Sequence, residues 1–187
     1  IKVSNTPGAN SNSAAEHAVA LMMTLLRKTH QAHASMASGR WEKSLFAGNE
    51  LWKKTVGFVG FGRIGRIVAK RISGFEPNVL FYDPFIEGDL EPNYQKRNIE
   101  EVFEQSDIVT VHTPLNPQTK GLVGAKLINS MKKSSILINA ARGGVVDEQA
   151  LIKSLLENKI SAAALDVFEQ EPLDSTSPLV NMENVVL

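Results

Sequence analysis

Residues 59–65 read VGFGRIG and residues 79–84 read VLFYDP, so a glycine pattern precedes an acidic residue by about twenty positions. The glycines have the spacing G-x-G-x-x-G, at Gly60, Gly62 and Gly65. This spacing alone is weak evidence, because glycine turns are common. Here an apolar run at 55–59 precedes it and a helical pattern at 63–73 follows it. A strand, a glycine turn and a helix in this order predict a dinucleotide-binding turn, with one glycine each for turning, phosphate approach and helix packing.

The residues around this turn predict how the dinucleotide is held. The backbone N–H groups of Arg63 and Ile64 come at the positive end of the following helix, where phosphate binds. Asp83 closes the next strand, where a carboxylate accepts hydrogen bonds from the adenosine ribose hydroxyls and repels a 2′-phosphate. Pro84 and Phe85 follow it and supply no cation for such a phosphate. The pattern therefore favours NAD over NADP.

Short apolar runs alternate with helical patterns along the rest of the chain. Ser13 and Glu16 have capping-box spacing, and apolar residues at helical spacing predict one long helix from 13 to about 37. Further helices are predicted at 99–105, 125–130 and 148–158, and strands within DIVTVH, SILINA, SAAALDV and the final NVV. The alternation predicts an α/β fold: a Rossmann-type doubly wound parallel sheet with helices on both faces, preceded by a long N-terminal helix.

Ligands of such sheets bind at the carboxyl ends of the strands. The candidate residues at these ends are Thr113, Pro114, Ala140, Ala141, Arg142 and Asp166. Arg142, followed by two glycines, has a guanidinium suited to clamping a carboxylate, although a solvated surface arginine is the alternative. Glu171 taken alone is typical of an exposed acidic loop.

Composition narrows the classes of function. Of the 187 residues, 43% are apolar, and the formal net charge is zero. The sequence contains no basic block, so we expect no nucleic-acid partner. Cysteine is absent, which excludes disulfides, thiol catalysis and thiolate metal sites, and we predict no metal site. The longest apolar stretch, AVALMMTLL, is too short to span a bilayer, so we expect no membrane partner, and the absence of cysteine favours a cytoplasmic location.

Both ends of the sequence bear on domain organisation. The sequence opens IKVSNTPGAN without an initiator Met and ends inside the apolar run NVVL. We therefore expect residues 1–187 to form one domain of a longer polypeptide.

Several motifs together resemble one family. In order, they are NTPGANSNSAAEHAVALMM, GFGRIG, YDP, VHTPLNPQTKGLVG, LINAARGGVVDEQAL and ALDVFEQEPL. They resemble the NAD-binding domain of the D-2-hydroxyacid dehydrogenases, with phosphoglycerate dehydrogenases among the nearest members. The resemblance covers nearly the whole chain. It departs in detail at Lys53, where relatives often have glycine, and in the turn GFEPN.

The resemblance implies NAD as cofactor and hydride transfer between it and a 2-hydroxy or 2-oxo acid. Arg142 would hold the substrate carboxylate and polarise its C2 oxygen, and Glu171 would orient a catalytic histidine. Asp166 would meet the nicotinamide, with Thr113 and the backbone of 140–142 nearby. Asn10 matches a position near substrate, although a helix-entry turn residue explains it equally well.

In the family that this chain resembles, a catalytic histidine follows the final strand in a P-H stretch, which we expect beyond Leu187. The chain has four histidines, and none of them matches that position. They are His17, His30, His33 and His112. We therefore expect the chain alone to bind NAD(H) without turnover. Relatives dimerise through this domain, and the predicted long helix has apolar residues on more than one face, so we also expect a homodimer.

Two alternatives remain. Some NADH-sensing transcriptional corepressors resemble the same family and use the domain as a ligand-controlled dimer. A Rossmann domain that serves another nucleotide is the third interpretation, and the linked ARGG and EQEP motifs disfavour it.

Overall fold

The computed structural model describes residues 4, 6, 8–88, 90 and 93–187. The strands are β1 Thr55–Val59, β2 Asn78–Tyr82, β3 Tyr94–Lys96, β4 Ile108–Val111, β5 Ile136–Asn139, β6 Ala162–Leu165 and β7 Val185–Val186. The α-helices are α1 Ser11–Arg27, α2 Thr29–Ala37, α3 Arg63–Ile72, α4 Ile99–Gln105, α5 Ala125–Ser130 and α6 Glu148–Leu156. Short 3₁₀ segments cover Lys43–Phe46, Ser73–Phe75 and Pro178–Asn181.

The strands form one sheet in the order β3-β2-β1-β4-β5-β6-β7, and every neighbouring pair is parallel. Val59 at the end of β1 pairs with Tyr82 of β2 on one side and Val111 of β4 on the other. The strand order reverses between β1 and β4, where crevices open in sheets of this kind. The predicted doubly wound sheet is confirmed, and the carboxyl ends of its strands share one edge.

Helices cover both faces because the strands are apolar on both sides. One face packs against α1 and α3 in a cluster that includes Phe58 and Phe81. The other face packs against α4, α5 and α6 in a second cluster that includes Val109 and Leu137. Successive residues of β5 alternate between these clusters, which is the period of a strand.

The predicted long N-terminal helix is present as α1, but its predicted end near residue 37 is wrong, since a second helix, α2, covers Thr29–Ala37. The chain leaves the helical conformation at Lys28, whose φ is 52°, and whose N–H closes α1 by donating to the carbonyls of Leu25 and Thr24. The stripe of fully buried apolar residues on this segment ends at Leu26. No buried apolar face therefore holds the following turns in line with α1.

The predicted capping box is also wrong. The helix begins at Ser11 with Asn10 as its N-cap, and the Ser13 hydroxyl donates to the Asn10 carbonyl at 3.1 Å. A capping box does start α4, where the side chains of Asn98 and Glu101 each accept from the other's backbone N–H.

The apolar surface expected on α1 for a partner is occupied within the chain. Met22, Leu25 and Leu26 are buried against the sheet side of the molecule, and Met23 is partly buried. Exposed large apolar side chains occur at several places on the described surface, among them residues 36–46, which we call the hook and where Trp41 is 78% exposed. Within the described ranges, we find no helix with the length and apolar character needed to cross a membrane.

Candidate functional site

The glycine turn after β1 has the geometry that its spacing predicts. Gly60 has φ +88°, and a Cβ placed there would lie 2.8 Å from Thr113 Cγ2. A Cβ on Gly65 would lie 2.8 Å from the Gly60 carbonyl oxygen, so α3 packs directly on the turn. A Cβ on Gly62 would meet no atom of the described residues within 4 Å. The open space at Gly62 is where a pyrophosphate can approach the backbone.

The N-terminus of α3 faces this space. Gly62 is the N-cap, and no side chain caps the helix. The first N–H groups of a helix have no partner within it, so those of Arg63 and Ile64 can bind an anion. The Arg63 guanidinium lies elsewhere, because a Cβ on Gly8 would be 2.1 Å from its Nη1. Arg63 therefore contributes to the turn through its backbone.

Asp83 ties β2 to the glycine turn. Its Oδ2 accepts from the Phe61 N–H at 2.9 Å, and its Oδ1 accepts from the Phe85 N–H at 2.9 Å. The residue is only 9% exposed. Each carboxylate oxygen has a second lone pair, so Asp83 can still accept from ribose hydroxyls. The carboxylate thus has a structural task as well as the predicted binding task.

The pocket beside Asp83 contains cations that the local sequence argument missed. Lys96 and Arg97, at the end of β3, line it together with Tyr82, Asp83 and Pro84. The Arg97 guanidinium donates to the Lys96 carbonyl at 2.7 Å and to the Gln95 side chain, and Lys96 donates to the Ile86 carbonyl. Backbone oxygens therefore engage both cations at the edge of the Asp83 pocket.

Two residues after β4 lie under the glycine turn. Thr113 Oγ1 is buried and has no hydrogen-bond partner among the described residues, which makes it available to a ligand. His112 Nε2 lies 3.0 Å from Thr110 Oγ1, and its ring stacks on Phe58. Burial lowers the pKa of His112 to about 4. An imidazole that stays neutral in this environment is unsuited to acid/base chemistry. This agrees with the sequence analysis, in which His112 does not match the position of the family's catalytic histidine. Pro114 is exposed on the following loop.

Asn139, which the sequence analysis missed, shapes the loop that carries Arg142. Its buried amide accepts from the Ala141 N–H at 3.2 Å and donates to the Arg142 carbonyl at 3.1 Å. Ala140 and Ala141 pack against the two different core clusters. The exposed Arg142 guanidinium donates to the Ala141 carbonyl at 2.7 Å. A polar residue at the end of an apolar strand was the available signal for Asn139.

The loop that carries Glu171 lies against the loop that carries Arg142. A Cβ on Gly143 would be 1.6 Å from the Phe168 carbonyl oxygen, so the two backbones touch there. Glu171 Oε1 accepts from the Phe168 N–H at 3.1 Å, and the side chain is exposed. In the described part of the chain, no ion pair joins Arg142 to Glu171. The loops are brought together, whereas the two charged groups are left separate.

Asp166 extends the same edge at the end of β6. Its N–H donates to the Asn139 carbonyl at 3.0 Å, and its Oδ1 lies 3.1 Å from His17 Nε2 of α1. The position of His17 brings α1 to this edge of the sheet. Asn10 is exposed at the start of the same helix, about two turns earlier.

Comparison with known proteins agrees with this geometry. Residues 19–187 match the family described as D-isomer specific 2-hydroxyacid dehydrogenase, NAD binding domain. The chain belongs to this family. The expected Rossmann-type fold, NAD as the family's cofactor and the dehydrogenase resemblance are thereby confirmed.

Three relatives place the chain within the family. It is 45% identical to a D-3-phosphoglycerate dehydrogenase of Archaeoglobus fulgidus in an alignment of 188 positions, which covers 100% of this chain and 36% of that protein. It is 43% identical to a glyoxylate reductase of Thermofilum pendens in an alignment of 194 positions, which covers 100% of this chain and 57% of that protein. The crystal structure of a Staphylococcus aureus NAD-dependent formate dehydrogenase in complex with NAD superimposes with a TM-score of 0.89 at 35% identity, covering 95% of this chain and 55% of that one. The chain therefore spans about a third to three fifths of the length of these relatives.

Proposed function

We propose that residues 1–187 are the NAD-binding domain of a longer, NAD-dependent D-2-hydroxyacid dehydrogenase. The observation that carries the proposal is the glycine turn tied to Asp83, with open space at Gly62 and the unpartnered hydroxyl of Thr113 beside it. Two D-3-phosphoglycerate dehydrogenases are 45% and 43% identical to the chain. 3-Phosphoglycerate is accordingly the first substrate to assay.

The residues present fit the cofactor. The N–H groups of Arg63 and Ile64 would bind the pyrophosphate, while Asp83 would accept from the adenosine ribose. The Asp166 carboxylate, which His17 contacts, would accept a hydrogen bond from the nicotinamide end of the cofactor. NAD, when bound, supplies the hydride chemistry, and the chain supplies orientation and charge.

Arg142 would bind the substrate carboxylate and place the C2 carbon beside the nicotinamide. Its contact with the Ala141 carbonyl is at an exposed position, so the guanidinium can exchange that bond for a bidentate one to substrate. Glu171 would orient a histidine supplied by another part of the polypeptide and raise its basicity. Asn10, at the start of α1, would approach the substrate from the other side of the crevice.

We also propose a cytoplasmic homodimer. The absence of cysteine fits a reducing compartment. Trp41, Met36 and Leu45 expose apolar surface in the hook, which a second copy can cover. The hook replaces α1 as the proposed contact, since the apolar residues of α1 are buried within the chain.

The test measures turnover of D-2-hydroxy acids, 3-phosphoglycerate first, by the full-length polypeptide with NAD. We expect Arg142→Ala to lower kcat/KM about 100-fold or more, because a bidentate charged contact to substrate is lost. Lys133→Ala is the matched control, since Lys133 is an exposed cation before β5 whereas Arg142 follows it. Residues 1–187 alone should bind NADH without turnover. Ordinary turnover by those residues alone, or unchanged kcat/KM in Arg142→Ala, would refute the proposal.

A further inference from the structure

The loops that carry Arg142 and Glu171 touch through a contact that leaves no room for a side chain. Any Cβ at Gly143 would overlap the Phe168 carbonyl oxygen, at 1.6 Å. Such contact sets the distance between the loops, although it does not by itself prevent one from sliding over or separating from the other. A second restraint is therefore needed to keep them in register.

Two glutamates provide that restraint by a reciprocal pair of hydrogen bonds. The Glu148 N–H, in the first turn of α6, donates to Glu169 Oε1 at 3.0 Å. The Glu169 N–H donates to Glu148 Oε2 at 2.7 Å. Each residue thus gives its backbone donor to the side chain of the other, across 21 positions of sequence.

The placement of this pair connects it to both functional loops. Glu148 begins the helix that follows the Arg142 loop, and Glu169 lies between Phe168 and Glu171. The Phe168 N–H is the donor that holds the Glu171 carboxylate. The first turn of α6 stabilises negative charge, which offsets part of the repulsion between the two carboxylates. Loosening of the pair would therefore release Glu171 as well as the contact at Gly143.

We propose that Glu148 and Glu169 are positioning residues that hold the Arg142 and Glu171 loops in one arrangement for substrate. This proposal rests on the proposed dehydrogenase function. Neither glutamate contacts the Asp83 pocket, so cofactor binding at the adenosine end is independent of the pair. Their contribution falls on the substrate and histidine side of the reaction.

The test compares alanine and glutamine at each position in the full-length protein. Glutamine keeps a side-chain oxygen that can accept the partner's N–H, whereas alanine removes it. Glu157→Ala is the control, because Glu157 is an exposed acid just after α6 that pairs with Lys153 at 3.9 Å and contacts neither functional loop in the hydrogen bonds described. The readouts are hydrogen exchange of the Phe168 and Glu169 amides, and separate kcat and KM values for NAD and for the hydroxy acid.

We expect Glu148→Ala and Glu169→Ala to speed exchange of the Phe168 amide about fivefold or more, the factor for one lost hydrogen bond. The kcat for the hydroxy acid should fall about 10- to 100-fold, and the KM for NAD should stay within about twofold. The glutamine variants and Glu157→Ala should behave like the native protein.

Unchanged Phe168 exchange in the alanine variants would overturn the proposal, as would glutamine variants as impaired as alanine ones. A native protein without turnover would overturn the dehydrogenase function and with it the catalytic consequence. In that case the exchange rates of the Phe168 and Glu169 amides still test whether the two glutamates hold the loops together.

Discussion

Alanine substitutions at Gly60 and Gly62 should separate folding from cofactor binding within one turn. At Gly60 the backbone has φ +88°, and a Cβ would lie 2.8 Å from Thr113 Cγ2 and 3.0 Å from the His112 carbonyl carbon. The left-handed conformation costs alanine about 1–2 kcal/mol. Overpacking adds about 1–3 kcal/mol. Gly60→Ala should therefore lower the free energy of unfolding by about 2–5 kcal/mol.

Gly62→Ala should lower the affinity for the cofactor and change the free energy of unfolding only slightly. The backbone there is extended, with φ −71°, and a Cβ meets no atom within 4 Å in the part of the chain that the structure describes. Replacing an N-cap glycine by alanine costs at most about 1 kcal/mol. The new methyl would occupy the space that the pyrophosphate needs and weaken its charged hydrogen bonds by about 1.5–3 kcal/mol, or about 10- to 100-fold in affinity.

Urea unfolding followed by circular dichroism measures the stability of each variant, and calorimetry measures its NADH affinity. The reasoning fails if Gly62→Ala binds NADH as tightly as the native chain. It also fails if Gly60→Ala has the same midpoint of urea unfolding as the native chain, because the turn would then tolerate a side chain at Gly60.

Two further predictions concern stability and assembly. The pKa of His112 falls from 6.5 in the unfolded chain to about 4 in the folded one, so the unfolded chain binds more protons between these values. The free energy of unfolding should be greatest above pH 6.5 and fall by at most about 1.4 kcal/mol per pH unit towards pH 4. Urea titrations of His112→Gln should show a smaller dependence on pH. An unchanged dependence in this variant would contradict the lowered pKa of His112. Light scattering of residues 1–187 should give twice 20.4 kDa at micromolar concentration, and Trp41→Ser should give the monomer mass. Trp52→Ser, an exposed tryptophan near Lys53 outside the hook, should remain dimeric, and a native mass of one chain would refute the assembly.

The secondary structure was largely predictable because the signals are local. Helices α4 and α5 begin and end where their apolar spacing predicts, and the buried strands match their apolar runs. Strand β3 was missed because Tyr94–Lys96 is a short, half-buried edge strand without an apolar run. The break at Lys28 was missed because helical spacing before it and helical propensity after it look continuous in sequence.

The candidate site was predictable only where one residue has a task visible in its own motif. The glycine turn and Asp83 belong to this class. By contrast, Lys96 and Arg97 reach the Asp83 pocket through the pairing of β3 with β2, which no nearby residue indicates. The Glu148–Glu169 pair likewise joins two loops that are neighbours only in the folded sheet.

The most direct test of the central claim is calorimetry of native residues 1–187 and Asp83→Ala with NADH and NADPH. Asp83 would accept from the ribose hydroxyls of NADH, whereas its charge would repel the 2′-phosphate of NADPH, so the native chain should bind NADH more tightly. Removing the carboxylate should narrow the difference, since Lys96 and Arg97 remain in the pocket. Asp83 also holds the Phe61 N–H, so circular dichroism must first show that the variant is folded. Equal affinity of the native chain for the two cofactors, or no saturable NADH binding at all, would contradict the account.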